Sequence, residues 1–310
     1  MFKDLPKLPD YRAENYFSLL SDFGRFIENN CRPGCEFDLA GWPNPLWQII
    51  EQKLADGLQK FAEIPPSSGE ISMLQWYNSG ILVKTKDQVV GFDILPIPRY
   101  YGWPDENGFT RRLAELTDIL FITHNHADHF DQALVKECNR LSKPVFMHSQ
   151  AFQDQSAEIR GIGDQASVKL GDALARAHYG RHVWREKPEE VATTAFELEI
   201  GKGFRLVFCG DLDYTTGLQS VRPEPDLLFI TWRNPGPEFE DGHPRQVATT
   251  VDAVKIVIEK LRPKKIILQH YAELDHVYKG FSASYEMALN LISNLNVPVK
   301  IFFWGDLTSF

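Results

Sequence analysis

His124, Asn125, His126, Ala127, Asp128 and His129 follow directly on Thr123 and the apolar run Asp118-Ile119-Leu120-Phe121-Ile122. Four of those six side chains, His124, His126, Asp128 and His129, are able to ligate a metal. Imidazole nitrogen and carboxylate oxygen together suit zinc, and also manganese or iron. One tetrahedral ion does not take four such groups from a single loop, so the cluster anticipates two adjacent ions. An apolar run that ends in alternating histidines reads as a β-strand. It delivers His124 and His126 to one side, because side chains two apart share a face. Asp128 and His129 then project from the turn that follows. Three of the nine histidines in 310 residues fall in this window, and a knot of imidazoles without metal or partners would be costly to bury.

This stretch resembles the metallo-β-lactamase superfamily, whose hallmark is His-x-His-x-Asp-His at a strand end. Four further positions continue the resemblance in order. An early aspartate is Asp93, in Val-Val-Gly-Phe-Asp-Ile-Leu. A later histidine is matched by both His178 and His182 in Ala-His-Tyr-Gly-Arg-His. A bridging aspartate is Asp211, in Arg-Leu-Val-Phe-Cys-Gly-Asp, and a final histidine is His270, in Lys-Ile-Ile-Leu-Gln-His. His178 is the preferred third histidine because it follows the strand-like segment Ala173-Leu174-Ala175-Arg176-Ala177, which leaves His182 in the adjoining loop. The match spans about residues 71–310, and several motifs in order are more specific than any one.

The resemblance implies a ligand set and a chemistry. His124, His126 and His178 would hold one ion, Asp128, His129 and His270 a second, and Asp211 would bridge them. Asp93 would orient a ligand histidine through its other ring nitrogen. Two such ions acidify a shared water, whose hydroxide attacks an ester-type carbonyl or phosphoryl centre polarised by metal. Asp128 or Asp211 would accept a proton during turnover. The chain thus reads as a binuclear metal-dependent hydrolase with two divalent ions, zinc first and manganese or iron as alternatives.

The His-Asn-His-Ala-Asp-His-Phe-Asp motif and the Gln-His-Tyr sequence around His270 are similar to the branch containing ascorbate-phosphate lactonases and phospholipase D-type phosphodiesterases. That likeness implies a lactone or phosphodiester in a small anionic substrate. Arg181, His182, His243 and Tyr271 are candidates to contact it. An iron-dependent oxidoreductase on the same scaffold and a non-catalytic metal-binding protein are the alternatives.

Composition narrows the class of protein. A chain of this length with 43% hydrophobic residues can bury a sizeable core. The formal charge of -9 disfavours a broad nucleic-acid footprint. No segment is apolar enough to span a bilayer, and the opening Met-Phe-Lys-Asp-Leu-Pro does not read as a secretory signal, so a cytoplasmic location is expected. Four cysteines do not make a disulfide framework in a chain this long. Cys31 and Cys35 flank a turn built on Pro33 and Gly34, and Cys209 reads as a small core residue close to Asp211.

The elements that must hold these residues divide near residue 70. Residues 14–30 and 45–64 carry apolar residues at helical spacing: Phe17, Leu20, Phe23 and Phe26 in the first, and Ile49, Ile50, Leu54, Leu58 and Phe61 in the second. Pro65-Pro66-Ser67-Ser68-Gly69 then breaks the chain. Residues 1–70 are read as an N-terminal helical extension, with 71–310 as the metallo-β-lactamase-like domain. Strands are expected over 71–77, 81–85, 88–94 and 299–304, and helices over 132–141, 247–261 and 283–295. Asp131 stands where a helix N-cap is needed. Alternating strands and helices predict an α/β architecture, and the family resemblance makes it a four-layer αββα sandwich.

Overall fold

The computed structural model describes residues 14–30, 45–65, 70–99, 102–150, 158–183, 190–212, 214, 218–231, 250–270, 293 and 295–310. Two helices come first, α1 (Tyr16–Asn30) and α2 (Pro45–Glu63), then strands β1 (Ser72–Gln75), β2 (Ile81–Lys84) and β3 (Val89–Phe92). Helix α3 (Phe109–Leu116) leads into β4 (Ile119–Ile122), α4 (Gln132–Arg140) and β5 (Val145–His148). Six strands follow: β6 (Arg160–Ile162), β7 (Ser167–Leu170), β8 (Ala173–Val183), β9 (Glu190–Ile200), β10 (Phe204–Phe208) and β11 (Leu227–Thr231). Helix α5 (Thr250–Leu261), β12 (Ile266–Gln269), β13 (Val299–Ile301) and β14 (Leu307–Ser309) complete the described elements. Most of the helix expected over 283–295, with Cys31, Cys35, His243 and Tyr271, lies outside the described residues.

The strands form two seven-stranded sheets, ordered β14-β1-β2-β3-β4-β5-β6 and β13-β12-β11-β10-β9-β8-β7. Alternation along each strand explains how they stack. In β4, Ile119 and Phe121 join an apolar cluster with Phe92, Phe196, Phe208 and Phe229, drawn from both sheets. Leu120 and Ile122 join a different cluster, which contains residues of α2, α3, α4 and α5. The first is the layer between the sheets; the second lies between sheets and helices. All four residues of β4 are buried because both faces of the strand are covered. The architecture is the α/β, four-layer αββα sandwich expected from the sequence.

Helices α1 and α2 belong to the same core. Leu20 and Phe23 of α1, and Trp47, Ile50, Leu54, Leu58 and Phe61 of α2, are buried with Tyr77 and Trp304. Phe17, expected on the apolar stripe of α1, is instead 48% exposed, and Tyr16 takes the buried position. Docking is polar as well. Asp306 accepts hydrogen bonds from Tyr16 Oη at 2.9 Å, Lys53 Nζ at 2.5 Å and the Phe303 backbone N–H at 2.9 Å. Lys84 of β2 donates to the carbonyls of Phe61 and Ile64, placing a cation on the C-terminal carbonyls of α2.

Backbone contact at one point demands a small residue. A Cβ on Gly57 of α2 would lie 2.5 Å from the carbonyl oxygen of Gly305. Gly57→Ala is therefore expected to lower stability by about 1–3 kcal/mol despite the better helix propensity of alanine. Urea unfolding checks this; an unchanged or raised midpoint contradicts the overpacking argument.

Candidate metal centre

The site is assembled from strand ends. β3, β4 and β5 run parallel in one sheet, and β10, β11 and β12 run parallel in the other. Asp93 follows β3, His124 follows β4, Asp211 follows β10 and His270 follows β12. β8 and β10 are both antiparallel to β9, so β8 points the same way as β10 and brings His182 to its C-terminal end. The carboxyl ends of strands are where open α/β sheets expose backbone and loops to ligands. Asp131 accepts from the Leu134 backbone N–H at 2.7 Å and so starts α4 behind the histidine loop.

Three overlapping groups of potential ligand atoms meet here, each within 4.8 Å: His124 with His126 and His182, His124 with His129 and Asp211, and Asp128 with His129 and His270. Nε2 of His124 lies 2.9 Å from Nδ1 of His126. The ring of His182 stands 5.2 Å from His124 and 5.0 Å from His126. Asp211 faces the histidines of both halves. Its Oδ1 is 2.9 Å from His270 Nε2, and its Oδ2 is 3.5 Å from His129 Nε2 and 3.9 Å from His182 Nε2.

Asp93 organises the rings from beneath. Fully buried, it accepts from the Thr123 backbone N–H at 2.7 Å, from Thr123 Oγ1 at 2.6 Å and from His129 Nδ1 at 2.8 Å. His124 Nδ1 donates in turn to Thr123 Oγ1 at 2.9 Å. Both Nδ1 atoms are thus committed, which leaves the Nε2 atoms of His124 and His129 directed into the site. Asp93 and His270 adopt left-handed backbone conformations, φ 45° and 58°, a strain that non-glycine residues carry at sites where the surroundings fix them. Gly210, at φ 53°, packs so closely on Thr123 that a Cβ would stand 2.6 Å from its Oγ1.

The electrostatics match a cation-binding cleft. Burial pushes the His124 ring well below the ordinary histidine range and lowers His126 to about 4, so both are neutral ligands at pH 7. Burial also opposes charge on His129, but Asp128, Asp211 and Asp93 outweigh it and hold that ring well above the usual value. Its Nε2 is buried and has no hydrogen-bond partner of good geometry. A positive charge is therefore favoured where the carboxylates converge, and the donor set fits divalent metal ions.

The preference for His178 is corrected by the geometry. His178 is fully buried, with Nδ1 2.8 Å from Ser220 Oγ and Nε2 3.2 Å from Glu197 Oε2. β8 extends to Val183, so His178 sits in mid-strand and His182 occupies the strand end that faces His124 and His126. Strand direction was the available signal: the other site residues follow strands. Cys209 is a buried core thiol, pushed well up by burial, and belongs to none of the three groups. Arg181 is exposed one residue before His182. Sequence reasoning did not identify Thr123, Asn78, Ser79 or Gln269. The Asn-Ser-Gly turn between two apolar runs was the legible trace of two of them.

Glu197, beside His178, also accepts from Arg205 at 3.0 Å and Arg222 at 2.8 Å. Burial opposes its charge, but His178 and Arg222 outweigh it and hold its carboxyl down at about 2. With a folded pKa below the unfolded one, this carboxylate contributes stability above about pH 4.5 that is lost as pH falls toward 2, about 3 kcal/mol at neutral pH. Glu197→Gln should lose that increment at pH 7 and flatten the acid limb of the stability profile. Equal unfolding midpoints for variant and parent at pH 7 count against this account.

A family model for the β-lactamase superfamily domain matches residues 104–271, which include every described residue of the cluster. The chain belongs to the metallo-β-lactamase superfamily. No curated protein matches the sequence. Among solved structures, the diiron β-hydroxylase CmlA from Streptomyces venezuelae is 14% identical, with a TM-score of 0.55 over 80% of this chain and 55% of that one. This chain thus spans about half the length of CmlA. The metallo-β-lactamase fold protein YhfI from Bacillus subtilis is 14% identical, with a TM-score of 0.54 over 78% of this chain and 100% of that one. An isothiocyanate hydrolase from Delia radicum gut bacteria is also 14% identical, with a TM-score of 0.53 over 77% of this chain and 98% of that one. At these identities the likeness is one of fold. Superfamily membership and the His/Asp cluster together support a metal-dependent enzyme. Among the described residues, no helix is long and apolar enough to cross a membrane.

Proposed function

We propose that this chain is a binuclear metal-dependent hydrolase that cleaves an ester-type bond, a lactone or phosphodiester, in a small anionic substrate. The observation that carries this reading is the meeting of two ligand groups, His124/His126/His182 and Asp128/His129/His270, on either side of Asp211. Divalent ions held there would supply an acidified water and an electrophile for the substrate oxygen. The remaining work falls to the chain. Asp93 and Thr123 hold the His124 and His129 rings with their Nε2 atoms inward. Asp211, engaged with histidines through both oxygens, is a poor resting place for a proton, so Asp128 is assigned the proton-accepting role. Arg181, exposed beside His182, is assigned to the anionic group of the substrate.

Elemental analysis of protein purified without added metal, followed by turnover assays on lactones and phosphodiesters, tests the proposal. About two zinc or manganese ions per chain with ester cleavage is the expected result. Two irons with redox activity would replace it by an oxidoreductase, the reading to which the fold likeness to a diiron β-hydroxylase lends weight. Full metal occupancy without turnover across the panel would instead leave a metal-binding protein.

A further inference from the structure

The hydrogen bonds described for the turn between β1 and β2 go to one half of the site. Asn78 Nδ2 lies 3.4 Å from the Asp128 carbonyl oxygen. Ser79 Oγ lies 3.2 Å from His129 Nδ1, the nitrogen that also donates to Asp93. The Ser79 carbonyl accepts from Gln269 Nε2 at 2.5 Å, and Gln269 immediately precedes His270. Two consecutive residues therefore reach Asp128, His129 and the backbone neighbour of His270. No hydrogen bond described for Asn78 or Ser79 goes to His124, His126 or His182.

The turn is also stiff. Trp76 N donates to Gly80 O at 2.7 Å, and the buried Gln75 Nε2 lies within 3.1–3.2 Å of the carbonyl oxygens of Trp76, Asn78 and Gly80, which share its two hydrogens. Asn78 holds a left-handed conformation at φ 56°. Gly80 packs so tightly that a Cβ would stand 2.9 Å from the Asp93 carbonyl. Behind it, the Tyr77 ring is flanked by Trp47 of α2 at 5.2 Å and Trp304 at 4.9 Å. Trp304 in turn meets Phe23 of α1 at 6.2 Å.

We propose that the Tyr77–Gly80 turn is a positioning device for a single ion position, the one formed by Asp128, His129 and His270, and that α1 and α2 set the metal affinity of that position through Tyr77. The inference rests on the binuclear reading above. Asn78 and Ser79 act through the ligands and not on substrate. Outer partners of metal ligands commonly contribute 10–100-fold in affinity, and here that contribution is confined to one of two neighbouring positions.

The test is stepwise titration of chelator-treated full-length chain with cobalt(II), followed by its visible absorption, and with zinc(II) against a competing chelator. Ser79→Ala removes the hydroxyl alone, and Asn78→Gly removes the amide while retaining the left-handed turn. Each is expected to leave one ion binding as in the parent and to weaken the other 10–100-fold, with the absorption of only one cobalt position altered. Trp47→Phe, which shortens the contact to Tyr77, should weaken the same position by a smaller factor. Parental affinity at both positions in Ser79→Ala and Asn78→Gly, or equal weakening at both, overturns the inference while the binuclear reading stands. A parent chain that takes up fewer than two ions overturns both together.

Discussion

Replacing His182 by alanine is expected to empty the ion position near His124 and His126 and abolish hydrolysis, whereas His178→Ala should retain both ions. The two histidines lie on one strand four residues apart, which in extended chain is about 13 Å. They cannot serve the same ion. His182 contributes a ring about 5 Å from both His124 and His126, and its loss leaves only two imidazoles and the shared carboxylate of Asp211 to hold that ion. The fall in affinity at that position should exceed the 10–100-fold typical of an outer-sphere substitution. His178→Ala instead strips Glu197 and Ser220 of a buried partner and should lower stability by about 1–3 kcal/mol. Elemental analysis and urea unfolding of both variants separate the cases. A folded His178→Ala chain depleted of metal would reverse the assignment.

That pair shows where the sequence was legible and where it was not. Local signals carried far: the apolar run before His124 is β4, the periodic stretch after Asp131 is α4, and the stripe through Ile50, Leu54, Leu58 and Phe61 is the buried face of α2. These elements depend on side chains close together in the chain, which pattern reports directly. β8 was read too short because Tyr179, Gly180 and Arg181 break its apolar alternation. What extends the strand is pairing with β9, from Ala173 opposite Ile200 to Val183 opposite Glu190, a non-local cause. Phe17 was misplaced for a related reason. Both Tyr16 and Phe17 suit an apolar face, and the choice is made by the contact of Tyr16 with Asp306, 290 positions away. The support given by Asn78, Ser79 and Gln269 is likewise a product of packing: no spacing rule links residue 79 to residue 129.

Asp211→Asn should cost the chain more metal than the loss of any one histidine. Every other ligand assigned here serves one position, while Asp211 approaches His270, His129 and His182. It is one of only two carboxylates in the described ligand groups, so the substitution removes half of the formal negative charge available to balance two dications. Asparagine retains the shape and one oxygen acceptor but not the charge, so the change isolates electrostatics from packing. Burial opposes the charge on Asp211, yet His270 and His129 hold its carboxyl well below the ordinary range. The pocket is therefore arranged for an ionised group there, and a neutral amide leaves the imidazoles without their counter-charge. Both ions should bind more weakly and metal content should fall below one per chain. Turnover should drop at least 10³-fold, about 4 kcal/mol of transition-state stabilisation. Metal analysis and kcat on the best substrate of the ester panel make the test. Two ions retained, with kcat within tenfold of the parent, would remove Asp211 from the bridging role and shift the charge balance onto Asp128 alone.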